Sequence, residues 1–224
     1  MLMKRRIVAF VAVAGLAALF LPALSVGDAE SDDPVLDFYC NRARVTAGNL
    51  NPIERGTAFS FDAVTYYKRI GRRGKVDLVD STRSTYYYSF GKLDSLTTDT
   101  SASSRDYEVD LSYPNVFDGD YIFSFYPNDT GGADLAIGFD TDTAVAGEPV
   151  GIAIIDRSRF FLKWLYLHYP DRKGYKRYSH SLRFTERDGL VFPDSIWTVA
   201  AKAGLFSSEF YRLETGISNL VIER

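Results

Sequence analysis

Three short glycine-ended turns constrain the fold of this chain most. They cover 71–74, 171–174 and 186–189, and each places two polar residues before a glycine. That pattern suits a type I turn closed by a left-handed residue, which commonly joins antiparallel strands. The chain also holds 15 tyrosines and 16 phenylalanines, and aromatic side chains pack well on a pleated surface. The sequence therefore predicts a mainly β, antiparallel protein.

The runs between turns predict the strands. In 178–185 the hydrophobic period is two, so one face of that strand should be buried and the other solvated. Similar reasoning gives strands at 59–70, 75–90, 121–126, 133–139, 160–169, 175–185 and 190–201, with two final strands, 209–214 and 217–223, joined near Gly216.

Helical signals are few. Asp33 and Pro34 predict a helix start, and Gly48 predicts its end. The polar stretch 93–111 is expected to be a loop with one short helical turn. No long repeat appears, so the predicted fold is one domain: an antiparallel curved sheet or incomplete β-barrel with one or two short helices.

The first 27 residues have the pattern of a signal peptide. A basic segment, 4–6, precedes the apolar run 7–21, and Pro22 and small residues up to Gly27 follow. The alternative is an uncleaved anchor, but the apolar run is shorter than the roughly 20 residues that a membrane span needs. We therefore predict a signal peptide at 1–27, a single β-rich domain at 28–224, and a periplasmic or secreted location.

Charge and cysteine content limit the partners. Cleavage after Gly27 removes three of the 26 basic residues and none of the 29 acidic ones, which leaves a net charge of −6. This sign argues against nucleic acid or anionic lipid as a partner, although a local basic patch could exist. Cys40, the only cysteine, lacks a lipobox and cannot form an internal disulfide. It is expected to be a buried small residue, with a free thiol or an intermolecular bridge as alternatives.

Catalytic and metal-binding signals are weak. His168 and His180 could meet across a hairpin, but a zinc site needs three or four ligands. The segment 140–143 resembles the start of a calcium loop without its later ligands and glycine. Loop acids could hydrolyse glycosides as a pair, yet turn chemistry also explains them. We expect no cofactor, no metal and no enzyme, with hydrolysis left as an alternative.

The aromatic side chains are the remaining candidates for a site. They could fill a core, or they could line an apolar cavity on a concave sheet face. The cavity candidates are Phe61, Tyr67, Tyr86, Tyr88, Phe123, Phe125, Phe161, Trp164, Tyr166, Phe184 and Trp197.

The segment 162–167, a charged turn, and 178–184 followed by Asp-Gly-Leu-Val-Phe-Pro at 188–193 resemble the later half of bacterial LolA-like proteins. The resemblance implies an incomplete β-barrel around helices, with an apolar cavity for acyl chains. It further implies a periplasmic protein that binds or carries lipid or lipoprotein acyl chains, without a stable membrane span after cleavage. The alternative is an envelope-associated structural or protein-interaction domain with a filled core and an envelope protein as partner.

Overall fold

The computed structural model describes residues 33–71, 74–99, 113–126, 132–141, 147–203 and 209–223. Asp33–Arg224 forms one compact unit. The predicted signal peptide lies outside the described residues and stays a prediction.

The helix α1 spans Pro34–Leu50 and confirms the predicted helix. It begins there because the Asp33 carboxylate accepts a hydrogen bond from the Val35 N–H at 2.9 Å, and Pro34 has no N–H to satisfy. One stripe of the helix is buried, at Leu36, Cys40 and Ala43, with the spacing of successive turns. This stripe holds α1 against the sheet.

Ten antiparallel strands form one sheet, which is not closed into a barrel. In chain order the strands are β1 (Phe59–Ile70), β2 (Val76–Ser89), β3 (Lys92–Thr98), β4 (Ile122–Phe125), β5 (Asp134–Asp140), β6 (Val150–Asp156), β7 (Leu162–Tyr169), β8 (Tyr175–Arg187), β9 (Leu190–Lys202) and β10 (Glu209–Ile222). Their order across the sheet is β3-β2-β1-β10-β9-β8-β7-β6-β5-β4. The predicted fold class, a mainly β open sheet with a short helix, is confirmed.

The last strand lies inside the sheet, between β1 and β9. The predicted break near Gly216 is wrong, because β10 is continuous through that residue. Gly216 pairs with Val64 on one side and Ser195 on the other. A glycine within a strand suggests a turn in sequence, but it can also sit in a regular ladder at a cost in chain entropy.

Two further strands differ from the prediction. The segment expected to be a loop contains β3, an edge strand whose side chains are mostly exposed, and exposed edges favour polar residues. Residues 100–112, which complete that segment, lie outside the described residues. β6 has no counterpart among the predicted strands, because its residues 150–155 are continuously apolar and show no polar–apolar alternation.

The turn between β8 and β9 is tighter than predicted. Asp188 and Gly189 both have positive φ, 51° and 75°, which corresponds to a two-residue type I′ turn rather than a type I turn. Type I′ matches the right-handed twist of the flanking strands, so Arg187 pairs directly with Leu190. Phe90 and Gly91 join β2 to β3 in the same way, with φ of 50° and 73°.

Candidate functional site

The two faces of the sheet differ in what covers them. We call the face that packs against α1 the inner face and the opposite one the outer face. α1 and residues 113–117 are the described segments outside the sheet that add buried side chains to the apolar core. A helix is about 10 Å wide, whereas ten strands spaced about 4.8 Å apart span roughly 43 Å. The width of α1 therefore matches about two strand spacings, so α1 alone cannot cover the whole inner face.

One row of directly paired residues crosses nine strands of the inner face; we call it the central row. From β4 to β2 it reads Phe125, Ile137, Ala153, Leu165, Leu182, Ile196, Thr215, Thr65 and Thr82. All except Phe125 are buried. The row is apolar from β4 to β9 and changes to threonine at β10. The central row thus has an apolar part, from β4 to β9, and a hydroxyl-bearing part, from β10 to β2.

The hydroxyl groups on this side of the sheet are paired. Thr65 Oγ1 lies 2.9 Å from Thr215 Oγ1, and Ser84 Oγ, on β2, lies 3.2 Å from Thr98 Oγ1. Buried hydroxyls need such partners, since an unsatisfied one costs free energy. The threonine part of the central row is therefore a satisfied polar surface, less suited to an alkyl chain than the part across β4 to β9.

Four of the predicted cavity residues are buried within the protein. Phe61 stacks on Tyr86 with ring centroids 4.9 Å apart, and Phe184 contacts Tyr113 edge-on at 4.9 Å. Tyr67 is also buried, beside Tyr211. Parallel and edge-on rings at these separations pack favourably, so these four side chains are well-packed parts of the protein interior.

Four others keep part of their surface exposed while they pack against the same core. They are Tyr88, Phe123, Phe125 and Phe161. Phe123 stacks with Phe117 at 5.9 Å, and Phe123 and Phe125 both belong to the edge strand β4. Phe123, Phe125 and Phe161 thus present accessible aromatic surface next to the apolar part of the central row, whereas Tyr88 lies on β2, on the other side of the sheet.

The last three predicted cavity residues lie on the outer face. The ring of Trp164 is 5.8 Å from that of Tyr166 and 5.6 Å from that of Trp197, both nearly parallel. The guanidinium of Arg183 lies 5.8 Å from the Trp164 centroid. The structure therefore does not bring these three rings together with the inner-face candidates. Successive residues of a strand point to opposite faces, and the three rings are direct neighbours of the inner-face residues Leu165 and Ile196.

A tyrosine cluster that the sequence analysis did not identify occupies one end of the sheet. Tyr67, Tyr211 and Ala200 are buried there, with Tyr175 and Tyr178 packed against them. The Tyr211 hydroxyl donates to the Tyr175 hydroxyl at 3.4 Å, and burial raises the pKa of Tyr211. The closeness of these tyrosines to glycine-ended turns is the signal that could have identified the cluster.

The two histidines do not form a shared site. His168 pairs in register with Ser179, whereas His180 pairs with Leu167, so the two rings project from opposite faces. His168 Nδ1 is 3.1 Å from Ser179 Oγ. Burial, together with the positive charge of Arg177, lowers the pKa of His168. Within the described residues, no group of three or more His, Cys, Asp or Glu side chains could hold a metal ion.

Cys40 is a free, buried thiol on α1. Burial, assisted by the negative charge of Asp37, raises the pKa of Cys40 to about 12. The thiolate is the reactive form, so this cysteine is a poor nucleophile near neutral pH. Its environment fits the expected role as a small core residue.

Two acidic residues near the β8–β9 turn lie in strands and form ion pairs. Asp194 on β9 accepts from Arg183 Nε at 2.7 Å, and Glu186 on β8 pairs with Arg159. Asp142, in the segment compared with a calcium loop, lies outside the described residues. Among the residues that the structure describes, no helix is both long and apolar enough to cross a membrane.

No protein-family model matches the chain, and no curated protein matches it. Among solved structures, it is similar to a LolA superfamily protein from Nitrosomonas europaea, at 10% identity and a TM-score of 0.37, covering 84% of this chain and 94% of that one. It is also similar to a putative outer membrane lipoprotein-sorting protein domain from Vibrio parahaemolyticus (11%, 0.42, 84% and 93%). A DUF1329 family protein from Desulfovibrio piger is a third similar structure (12%, 0.41, 84% and 93%). The first of these belongs to the family that the sequence resembles.

Proposed function

We propose that this protein binds or carries an apolar ligand, a lipid or lipoprotein acyl chain, on the inner face of its open sheet. The observation that carries the proposal is the partly exposed aromatic surface of Phe123 and Phe125 on β4, at the end of the central row, where the buried apolar core meets solvent. An alkyl chain placed at this margin would exchange water for aromatic and aliphatic surface.

The geometry gives the ligand a place to enter. β4 is an edge strand, so the aromatic side chains of Phe123 and Phe125 stand at an open side of the sheet. Each methylene that moves from water to an apolar surface contributes roughly 0.8 kcal/mol, so the burial of several methylene groups suffices for useful affinity. The predicted signal peptide supports a periplasmic or secreted location for such a carrier.

The proposal is tested with protein purified from the envelope fraction. Native mass spectrometry should detect a co-purified lipid, and the delipidated protein should bind a fluorescent fatty acid. The double variant Phe123→Ser/Phe125→Ser should weaken probe binding by about tenfold or more, since one buried phenyl contact is worth roughly 1.5–3 kcal/mol.

A matched control uses two aromatic rings of similar exposure on the outer face. Tyr166→Ser/Trp197→Ser should leave probe affinity nearly unchanged, because neither ring lies on the inner face. Ligand-free protein that does not bind the probe, or equal losses in both double variants, would overturn the proposal.

A second candidate function, an envelope-associated protein-interaction domain, is favoured by the partly exposed outer rings. Trp164, Tyr166 and Trp197 form one stacked group beside Arg183, and tryptophan, tyrosine and arginine are enriched at protein interfaces. If this is the function, Trp197→Ser should abolish cross-linking to an envelope protein while the protein binds no acyl probe.

A further inference from the structure

Basic side chains gather at one end of the sheet, which we call the basic rim. The rim consists of Lys75, Arg172, Lys173, Lys176, Arg177 and Lys202. They come from three separate places in the sequence: the turn before β2, the connection from β7 to β8, and the end of β9. Their proximity is thus a product of the fold.

Backbone contacts show that these three places are adjacent. Lys202 pairs with Tyr175 across β8 and β9, and the Ala203 N–H donates to the Gly174 carbonyl at 3.0 Å. On the other side, Tyr211 pairs with both Ala200 and Arg69, which lies at the end of β1. The turn that contains Lys75 therefore stands at the same end as the β7–β8 connection.

The basic rim is positively charged, whereas the net charge of the chain as a whole is negative. The chain carries a net charge of −3, yet five of the six rim cations are exposed and the sixth, Arg177, is partly buried. Asp171 lies in the same connection, while Asp140 and Glu148 lie at this end of the sheet beyond β7. The average charge of the sequence thus hides a local positive surface.

Tyrosine rings lie directly behind the rim. The Arg172 guanidinium carbon is 3.8 Å from the ring centroid of Tyr178 and 5.2 Å from that of Tyr169. Lys202 Nζ lies 5.8 Å from the ring centroid of Tyr211. Cations held over aromatic rings gain cation–π stabilisation, so part of the rim is positioned rather than freely rotating.

This combination of side chains fits a lipid head-group layer. Tyrosine is enriched where one end of a side chain meets apolar material and the other meets water, and lysine and arginine extend their charged ends toward phosphate. Clusters of four to eight basic residues are also typical of surfaces that bind anionic lipid. An acidic protein would match the charge but gives no comparable role to the tyrosines.

We propose that the basic rim docks this protein on the surface of an anionic phospholipid bilayer. The docking goes beyond the proposed acyl binding, because the rim requires no ligand on the inner face. It also revises the expectation from net charge that anionic lipid is excluded as a partner, since the six rim cations outnumber Asp171, Asp140, Glu148 and Glu209, the last of which pairs with Lys202 across β9 and β10.

Vesicle flotation tests the proposal with the protein that lacks the predicted signal peptide. It should bind vesicles of equal parts phosphatidylglycerol and phosphatidylcholine and not vesicles of phosphatidylcholine alone. Binding should disappear at about 1 M salt, where the Debye length is about 3 Å. The triple variant Lys173→Gln/Lys176→Gln/Lys202→Gln should lower the partition constant by roughly 100-fold.

The matched control removes the same charge from the opposite end of the sheet. Arg55→Gln/Lys92→Gln/Arg187→Gln changes three exposed cations in the connection before β1, on β3 and on β8, and it should retain binding to within about threefold. Both triple variants should keep the wild-type melting temperature and affinity for the fluorescent fatty acid, so failure of acyl binding and failure of docking are separable.

Three outcomes would overturn the proposal. The first is a wild-type protein that does not bind the anionic vesicles at low salt. The second is equal loss of binding in the two triple variants, which would attribute the effect to total charge. The third is displacement from the vesicles by millimolar glycerol phosphate, which would indicate a pocket for one head group rather than a surface.

Discussion

Thr65 and Thr215 share a buried hydrogen bond, with their Oγ1 atoms 2.9 Å apart, across the junction of β1 and β10. This pair joins the first and last strands of the described chain. Replacing one partner with valine leaves the other hydroxyl buried without that hydrogen bond. Replacing both partners leaves no buried hydroxyl that needs one.

We therefore expect Thr65→Val to lower the free energy of unfolding by roughly 1–3 kcal/mol. Thr65→Val/Thr215→Val should lower it by less than the sum of the two single variants. Urea denaturation of the two single variants and the double variant measures this coupling. Strictly additive effects would show that the hydroxyls do not interact.

Gly91 and Gly74 provide a matched comparison of two left-handed glycines. A Cβ at Gly91 would lie 2.3 Å from the Ile53 carbonyl oxygen, whereas a Cβ at Gly74 would have nothing within 4 Å; their φ angles are 73° and 74°. Each alanine variant bears a left-handed backbone cost of roughly 1–2 kcal/mol. We expect Gly91→Ala to cost about 1–3 kcal/mol more in unfolding free energy, because of the collision. Equal melting temperatures for the two variants would contradict this contact.

Cys40 should resist thiol reagents in the folded protein. Its pKa is raised to about 12 by burial, so almost none of the thiol is ionised at pH 8. We expect labelling by a disulfide reagent to be slow in buffer and rapid after unfolding in guanidinium. The rate measured by absorbance gives the answer, and rapid labelling without unfolding would show that the α1 stripe opens readily.

Acid should weaken the fold partly through Asp62. Hydrogen bonds from Asn219 Nδ2 and Thr85 Oγ1, each 2.7 Å, hold the pKa of Asp62 below its ordinary value of 3.8. A lowered carboxyl pKa adds stability above the unfolded-state value, and this stability is lost as pH falls through the folded-state value.

Unfolding free energy should therefore drop as the pH falls from about 5 through 3.8 and below, and Asn219→Ala should make that drop smaller. Chemical denaturation across this pH range measures both changes. The control Asn41→Ala removes an exposed amide on α1 that contacts Arg44 instead. An unchanged pH dependence in Asn219→Ala would show that its amide does not favour the ionised carboxyl.

Much of the fold was accessible from the sequence because local signals agreed with the tertiary structure. The predicted strand 59–70 coincides with β1, since its alternating residues occupy opposite faces and its end meets a glycine turn. β6 was not accessible in this way, because its continuous apolar run, 150–155, lacks period-two alternation. Gly216 led to a wrong prediction of a break between two strands. Glycine is typical of turns, but here it lies within the continuous strand β10 and pairs with Val64.

The candidate site was less accessible than the fold. Aromatic composition identified Phe125 and Trp197 alike, but only strand register shows that one borders the inner face and the other lies on the outer face. The change from apolar residues to threonine along the central row depends on pairing across nine strands. Pairing between residues as distant as Thr65 and Thr215 leaves no short-range pattern in the sequence.

The position of β10 affects the order in which the protein can assemble. Since β10 lies between β1 and β9, the first three strands gain their link to the other strands only when β10 is present. A chain that emerges from the ribosome amino terminus first therefore cannot complete the sheet before residues 209–222 have been made. Termination before Glu209 would separate the first three strands from the rest and leave β1 and β9 as two new exposed edges.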